Sequence, residues 1–142
     1  MPHLIKQHEQ SWQLENYDAI NWQAADSWDQ KSPLLLANDI EPSQDYARAS
    51  IIGIEFPAFN DGRGLSLAVL LRTRIGFEGE LRALGQVHED ILHYMVRCGF
   101  TSVELPDERD PDLALQLLAP YSANYQGSAV DPQPAFLRTN RG

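Results

Sequence analysis

An α/β fold on a small, mostly parallel sheet of four or five strands is what this sequence predicts, and three observations carry the prediction. Short apolar runs, "PLLLAN", "SIIGIEF", "GELRALG" and "FTSVEL", alternate with longer stretches whose apolar residues recur at helical spacing. The runs hold leucine, isoleucine and valine with little polar alternation, as strands covered on both faces do. Glycines stand where the helices would stop, at Gly76 and Gly99.

The elements follow in chain order. "LIKQHEQSWQLENYD" suits a short strand or hairpin anchored by Leu4, Trp12 and Leu14, and "NWQAADSWDQ" adds Trp22 and Trp28 as core cover. Residues 1–32 are therefore expected to be an N-terminal arm packed on the domain. "PLLLAN" reads as a strand, "SQDYARAS" as a short helix and "SIIGIEF" as a buried strand.

In "GLSLAVLLRTRIG", Leu67, Val69, Leu70, Leu71 and Ile75 suit a helix lying on a sheet, closed by Gly76. After the strand "GELRALG", the stretch "QVHEDILHYMVRCG" places Val87, Ile91, Tyr94, Met95 and Cys98 on one helical face before Gly99. "FTSVEL" is the next strand. Asp110 and Pro111 form a cap and first helical position for "PDLALQLLA", and "YSANYQ" suits a last short strand.

"RIGFEGEL" and "RCGFTSVEL" resemble each other as one helix-to-strand joint used twice. Such alternation implies parallel strands with right-handed crossovers, in flavodoxin-like layers or a part-barrel. The α/β domain is placed at residues 33–126, and the Pro- and Gly-broken residues 127–142 are expected to be a flexible tail.

Composition narrows the function classes. The 142 residues fit one globular unit, 43% hydrophobic and 22% charged. A net charge of −9 opposes any general attraction to nucleic acid or to an anionic membrane. The beginning lacks the apolar core of a secretory signal, and no segment is long enough to span a bilayer, so the expected location is cytoplasmic.

The single Cys98, on an apolar helical face, is expected to be an inert thiol; alone it holds neither a metal nor a cluster. His88 and His93, five apart, point about 140° away from each other on a helix, so no metal is expected. Glu89 and His93, at i and i+4, suit an ion pair.

One stretch has more than structural chemistry. In "FNDGRGLS", Gly62 and Gly64 allow a sharp turn and a close approach, and Asp61 or Ser66 can cap the following helix. Arg63 adds a fixed positive charge beside the partial charge of the helix start. Strand exits are where ligands gather in parallel sheets, so Asp61, Gly62, Arg63, Gly64 and Ser66, with Arg82, are the candidates for binding an anion or a partner. The bland alternative pairs Arg63 with Glu55 or Asp61. The stretch lacks the ending of a P-loop and the spacing of a dinucleotide turn, and no cofactor of the chain's own is expected. Glu55 and Glu104, at strand ends, are candidates for an acid and a base.

"EFPAFNDGRG", "GELRALG", "RCGF" and "YSANYQ", with the initial "LIK", occur in order and spacing that resemble a bacterial family, the domain of unknown function 934 family (DUF934). The likeness covers roughly residues 50–126. Its matching positions are Phe56, Asp61, Gly62, Arg63, Ser66, Arg72, Gly79, Glu80, Arg82, Gly85, Arg97, Cys98, Gly99 and Phe100, while His88 departs from the family's non-titrating residue. The family is described as oxidoreductases of sulfite reduction, encoded beside assimilatory sulfite reductase, and has no established catalytic residues. The resemblance therefore implies an accessory protein of assimilatory sulfite reduction that binds sulfite reductase or its electron donor. The alternative is a small enzyme acting on an anionic metabolite, with Arg63 and Arg82 holding the anion and Glu55 or Glu104 moving a proton.

Overall fold

The computed structural model describes residues 1–58 and 60–119. The chain opens with β1 (His3–His8) and β2 (Ser11–Glu15), followed by β3 (Gln23–Ala24), β4 (Leu34–Ala37) and β5 (Ile51–Phe56). Then come α1 (Gly62–Leu70), β6 (Glu80–Gly85), α2 (Leu92–Cys98), β7 (Ser102–Leu105) and α3 (Pro111–Leu118). All seven strands form one sheet in the order β2-β1-β7-β6-β5-β4-β3.

Strands β3 to β7 are parallel, whereas β1 is antiparallel to both β7 and β2. The fold is thus the expected α/β architecture, widened from four or five strands to seven among the described residues. The widening comes from the two-residue β3 at one edge and the N-terminal hairpin at the other, whose Leu4 and Ile5 are buried where β1 joins β7. The expected strand "YSANYQ" and the tail lie outside the described residues.

Because the parallel strands stand side by side in chain order, crossovers of one hand put the connecting helices on one face. Contacts of α1 with α2, and of α2 with α3, agree with that arrangement. Toward the helices the sheet turns Ile52, Ile54 and Phe56 of β5, Leu81 and Ala83 of β6, and Val103 and Leu105 of β7, all buried. They meet Leu67, Ala68, Leu71, Leu92, Met95, Ala114 and Leu118 in one core.

The twice-used joint is real. Gly76 and Gly99 both adopt left-handed backbone, with φ of 77° and 112°, and Phe77 and Phe100 behind them are buried. Arg72 ties the two joints together, donating to the carbonyls of Phe77, Gly79 and Gly99 at 2.7–3.0 Å. Leu71–Ile75 after α1 widen into a π turn, which lets the Phe77 N–H reach the Leu71 carbonyl at 2.9 Å.

Helix α2 starts later than its sequence pattern suggests, because Glu89–Ile91 form a 3₁₀ turn first. The change of phase buries Leu92 and leaves Tyr94 55% exposed, where the sequence placed Tyr94 on the inner face. "SQDYARAS" is likewise a 3₁₀ turn, Gln44–Arg48, with Tyr46 buried edge-on against Trp28.

Among the described residues, the opposite face of the sheet is crossed by a strap of chain. Residues 16–22 join β2 at one edge to β3 at the other, so they must cross every strand between. The eight steps from Glu15 to Gln23 reach roughly 26–29 Å, and six strand spacings span about 29 Å, so this strap runs nearly straight. Trp22 lies on Gly53 of β5, where an added Cβ would come within 2.7 Å of the indole ring. A side chain at Gly53 would lift the strap.

Candidate functional site

Helix α1 begins at Gly62 because Asp61, in extended backbone, caps it. The Asp61 carboxylate accepts from the N–H groups of Arg63 and Gly64, each at 3.2 Å, and from Asn38 Nδ2 at 2.8 Å. Asn38 follows β4, so one carboxylate fixes the helix start and ties two strand exits together. Gly64 faces the Phe56 ring, which an added Cβ would approach to 2.7 Å. Gly62 is exposed, with open space where a side chain would be.

An open cleft of ≈ 890 Å³ lies at these exits. Asn38, Asp39, Glu41, Asn60, Asp61, Arg63 and Ser66 supply its polar lining. Arg63 is exposed, and its guanidinium makes no hydrogen bond or ion pair with a described residue. Asp61 meets Arg63 through the backbone N–H, not through the guanidinium.

Asp39, Glu41 and Asp61 set three carboxylates in the cleft against the one cation of Arg63, and Glu41 is shared with Arg74 at 3.8 Å. Asp61 already fills the α1 start, so a free anion approaching those N–H groups meets a negative charge. The cleft favours a guest of mixed charge whose own carboxylate reaches Arg63.

Arg82 is placed elsewhere. It is 1% exposed and shares a face with Gly53 under the strap, away from α1. Its guanidinium donates to Glu80 Oε2 at 2.7 and 3.2 Å, to Glu104 Oε2 at 3.1 Å, to Asp18 of the strap at 3.2 Å and to Ser102 Oγ at 3.2 Å. Ser102 in turn donates to Glu80 at 2.7 Å, and Lys6 Nζ stands 3.4 Å from the other Glu80 oxygen.

Three carboxylates thus face two cations. Burial pushes Glu80 up, but Ser102, Arg82 and Lys6 outweigh it and hold the carboxyl below its ordinary value. Burial also pushes Glu104 up, and there the bond from Arg82 does not offset it, because the charges of Asp18 and Glu80 add to the rise.

Glu55 is exposed, on the strap face. It lies in one cross-strand row with Leu84 and Glu104, two spacings or about 10 Å from Glu104. The structure therefore brings Asp61, Gly62, Arg63 and Ser66 to one cleft, buries Gly64 behind them against Phe56, and places Glu55, Arg82 and Glu104 on the other face of the sheet.

A second polar cluster at the strand exits was not read from the sequence. Glu89, 3% exposed, accepts from Arg109 Nε and Nη2 at 2.9 and 2.6 Å and from the Asp110 N–H at 2.9 Å. Arg109 Nη2 also reaches His88 Nε2 at 2.8 Å. Burial alone would raise Glu89; Arg109 and the Asp110 N–H hold it instead at about 2. The i, i+4 pair of Glu89 with His93 is replaced by this longer-range one. Twenty residues separate Glu89 from Arg109, and no spacing rule connects them.

Cys98 is half-buried, and burial pushes its thiol up, the setting of an unreactive sulfur. Among the described residues no group of three or more His, Cys, Asp or Glu is arranged to hold a metal ion, and no helix is long and apolar enough to cross a membrane. No curated protein and no solved structure matches the chain. Residues 34–136 match the family described as bacterial protein of unknown function (DUF934), and the chain belongs to that family.

Proposed function

We propose that this chain is an accessory protein of assimilatory sulfite reduction that binds sulfite reductase or its electron donor through the cleft at Arg63. The observation that carries the reading is an exposed guanidinium, without a partner among the described residues, on a rigidly capped helix start beside an open cleft. Arginine is well suited to the centre of a protein interface, where its planar fork meets a carboxylate. The acidic lining around it and the net charge of −9 favour a partner with a basic surface surrounding that carboxylate.

The choice of partner rests on the resemblance of the sequence to a family described in terms of sulfite reduction. The enzymatic alternative needs Arg63, Arg82, Glu55 and Glu104 around one concavity, whereas Arg82 is occupied under the strap by Glu80, Glu104 and Asp18.

Co-purification and titration calorimetry with sulfite reductase and with its electron donor test the reading. Wild-type chain is expected to bind one of them, and Arg63→Ala to weaken binding by tenfold or more at unchanged thermal stability. Binding to neither protein, or equal binding by Arg63→Ala, would overturn it.

A further inference from the structure

The sheet ends differently at its two edges. At one, β3 offers two residues, Gln23–Ala24, a length too short to template another strand. At the other, β2 runs for five residues, Ser11–Glu15, and no described strand pairs with its outer side.

The peptide groups that face outward follow from β1. The Gln7 N–H donates to the carbonyl of Thr101, immediately before β7, at 2.9 Å. By alternation Leu4, Lys6 and His8 turn their peptide groups toward β2, where they meet Glu15, Gln13 and Ser11. Trp12 and Leu14 therefore point their N–H and C=O groups out of the sheet.

Natural edges are blunted by shortness, lysine, proline or a bulge. Ser11–Glu15 contain neither lysine nor proline and keep unbroken register with β1. Five large apolar side chains are left exposed among the described residues. Two of them, Leu14 at 51% and Leu113 at 41%, belong to this edge and to α3, which lies against it.

We infer that β2 pairs with β2 of a second copy of this chain, antiparallel about a twofold axis through Gln13. In that register Trp12 of each copy meets Leu14 of the other, and their outward N–H and C=O groups form four hydrogen bonds. Ser11 stands opposite Glu15, whose carboxylate is already held by His8 Nε2 at 2.6 Å, and Gln13 stands opposite itself. Any foreign strand could use the backbone groups. What singles out a second copy is that this strand read backwards sets apolar against apolar, hydroxyl against acid and amide against amide.

No like charges are opposed across the axis, although two chains of charge −9 repel at longer range, so added salt strengthens the pairing. One five-residue strand with Leu14 and Leu113 buries less than the ~800 Å² per partner of a standard interface. The dimer is accordingly reversible, with a dissociation constant in the micromolar range.

Sedimentation velocity of the full chain from about 1 to about 500 µM tests this directly. Wild type is expected to pass from monomer to dimer, and Leu14→Lys, which places a charge on the edge, to remain monomeric. Gln13→Lys and Gln13→Glu each set like charges opposite one another and raise the dissociation constant roughly two- to fivefold, while an equal mixture of the two restores or exceeds wild-type association. Circular dichroism and thermal unfolding of each variant report that the monomer fold is retained.

Monomer throughout the range, a dimer unaffected by these substitutions, or no recovery on mixing would each overturn the inference. Slow amide exchange at Trp12 and Leu14 in a monomeric sample would also overturn it, because the edge would then be covered from within its own chain.

Discussion

Asp18 reaches down from the strap to the Nη1 of Arg82 at 3.2 Å, sixty-four residues along the chain, and this contact joins the strap to the middle of the sheet. The two partners differ in what they stand to lose. Asp18 is 59% exposed at its side chain and Arg82 1%, so water can replace the arginine for Asp18, whereas Glu104, 10% exposed, has little water to take its place and Glu80 keeps only Lys6 and Ser102.

Unequal stability losses follow for the two residues. Arg82→Met leaves the buried Glu104 and the part-buried Glu80 without their main cation and should cost about 3–5 kcal/mol. Asp18→Asn breaks only an exposed pair and should cost less than about 1 kcal/mol. Urea unfolding at neutral pH measures both. If Arg82→Met proves as mild as Asp18→Asn, the network does not hold the sheet face, and its carboxylates find water or protons without the arginine.

That network also marks the limit of what the sequence could reveal. Strands β4 to β7 and helices α1 and α3 were legible because their signals are local. "IIGIEF" is uniformly apolar, Asp61 and Asp110 cap the helices directly after them, and Gly76 and Gly99 stop the helices before them. The cluster Asp61–Ser66 was legible for the same reason, being one turn of chain.

Arg82 was legible as a cation within a strand because its position in β6 is visible, whereas Asp18 comes from the strap and Ser102 and Glu104 from β7, two other segments that only strand order assembles. Glu89 illustrates the same limit. The helical pattern offered His93 four residues on, but the chain begins with a 3₁₀ turn there and Arg109 arrives from the loop after β7. The place of the hairpin beside β7 has no local signal at all, since alternation in β1 and β2 fixes faces and not neighbours.

Asp61 supports both the fold and the proposed contact, and a substitution there separates the two. Asp61→Ala removes the α1 cap and strands Asn38, at an expected cost of about 0.5–2 kcal/mol. Asp61→Asn keeps a side-chain oxygen for the cap and should recover most of that loss, while removing one of three negative charges from the cleft. Thermal unfolding of the pair decides whether the bond or the charge matters. Equal losses in both variants would mean that the charge of Asp61, and not its capping geometry, holds the helix start.

Glu89 gives the fold a defined acid sensitivity. Its carboxyl titrates at about 2 when folded against 4.5 ordinarily, so the folded state binds the proton less readily than the unfolded one. A depressed acid contributes its full stabilisation above the ordinary value and loses it as pH falls from 4.5 toward about 2. The shift corresponds to something on the order of 3 kcal/mol, carried by the fork of Arg109 and the Asp110 N–H. Glu89→Gln keeps the size and an acceptor oxygen but never ionises. Its stability deficit relative to wild type should be largest at neutral pH and should shrink toward about pH 3 in urea titrations. A deficit of constant size over that range would show that Glu89 holds Arg109 through shape and hydrogen bonding alone, and would remove the ionic clasp between the exits of β6 and β7.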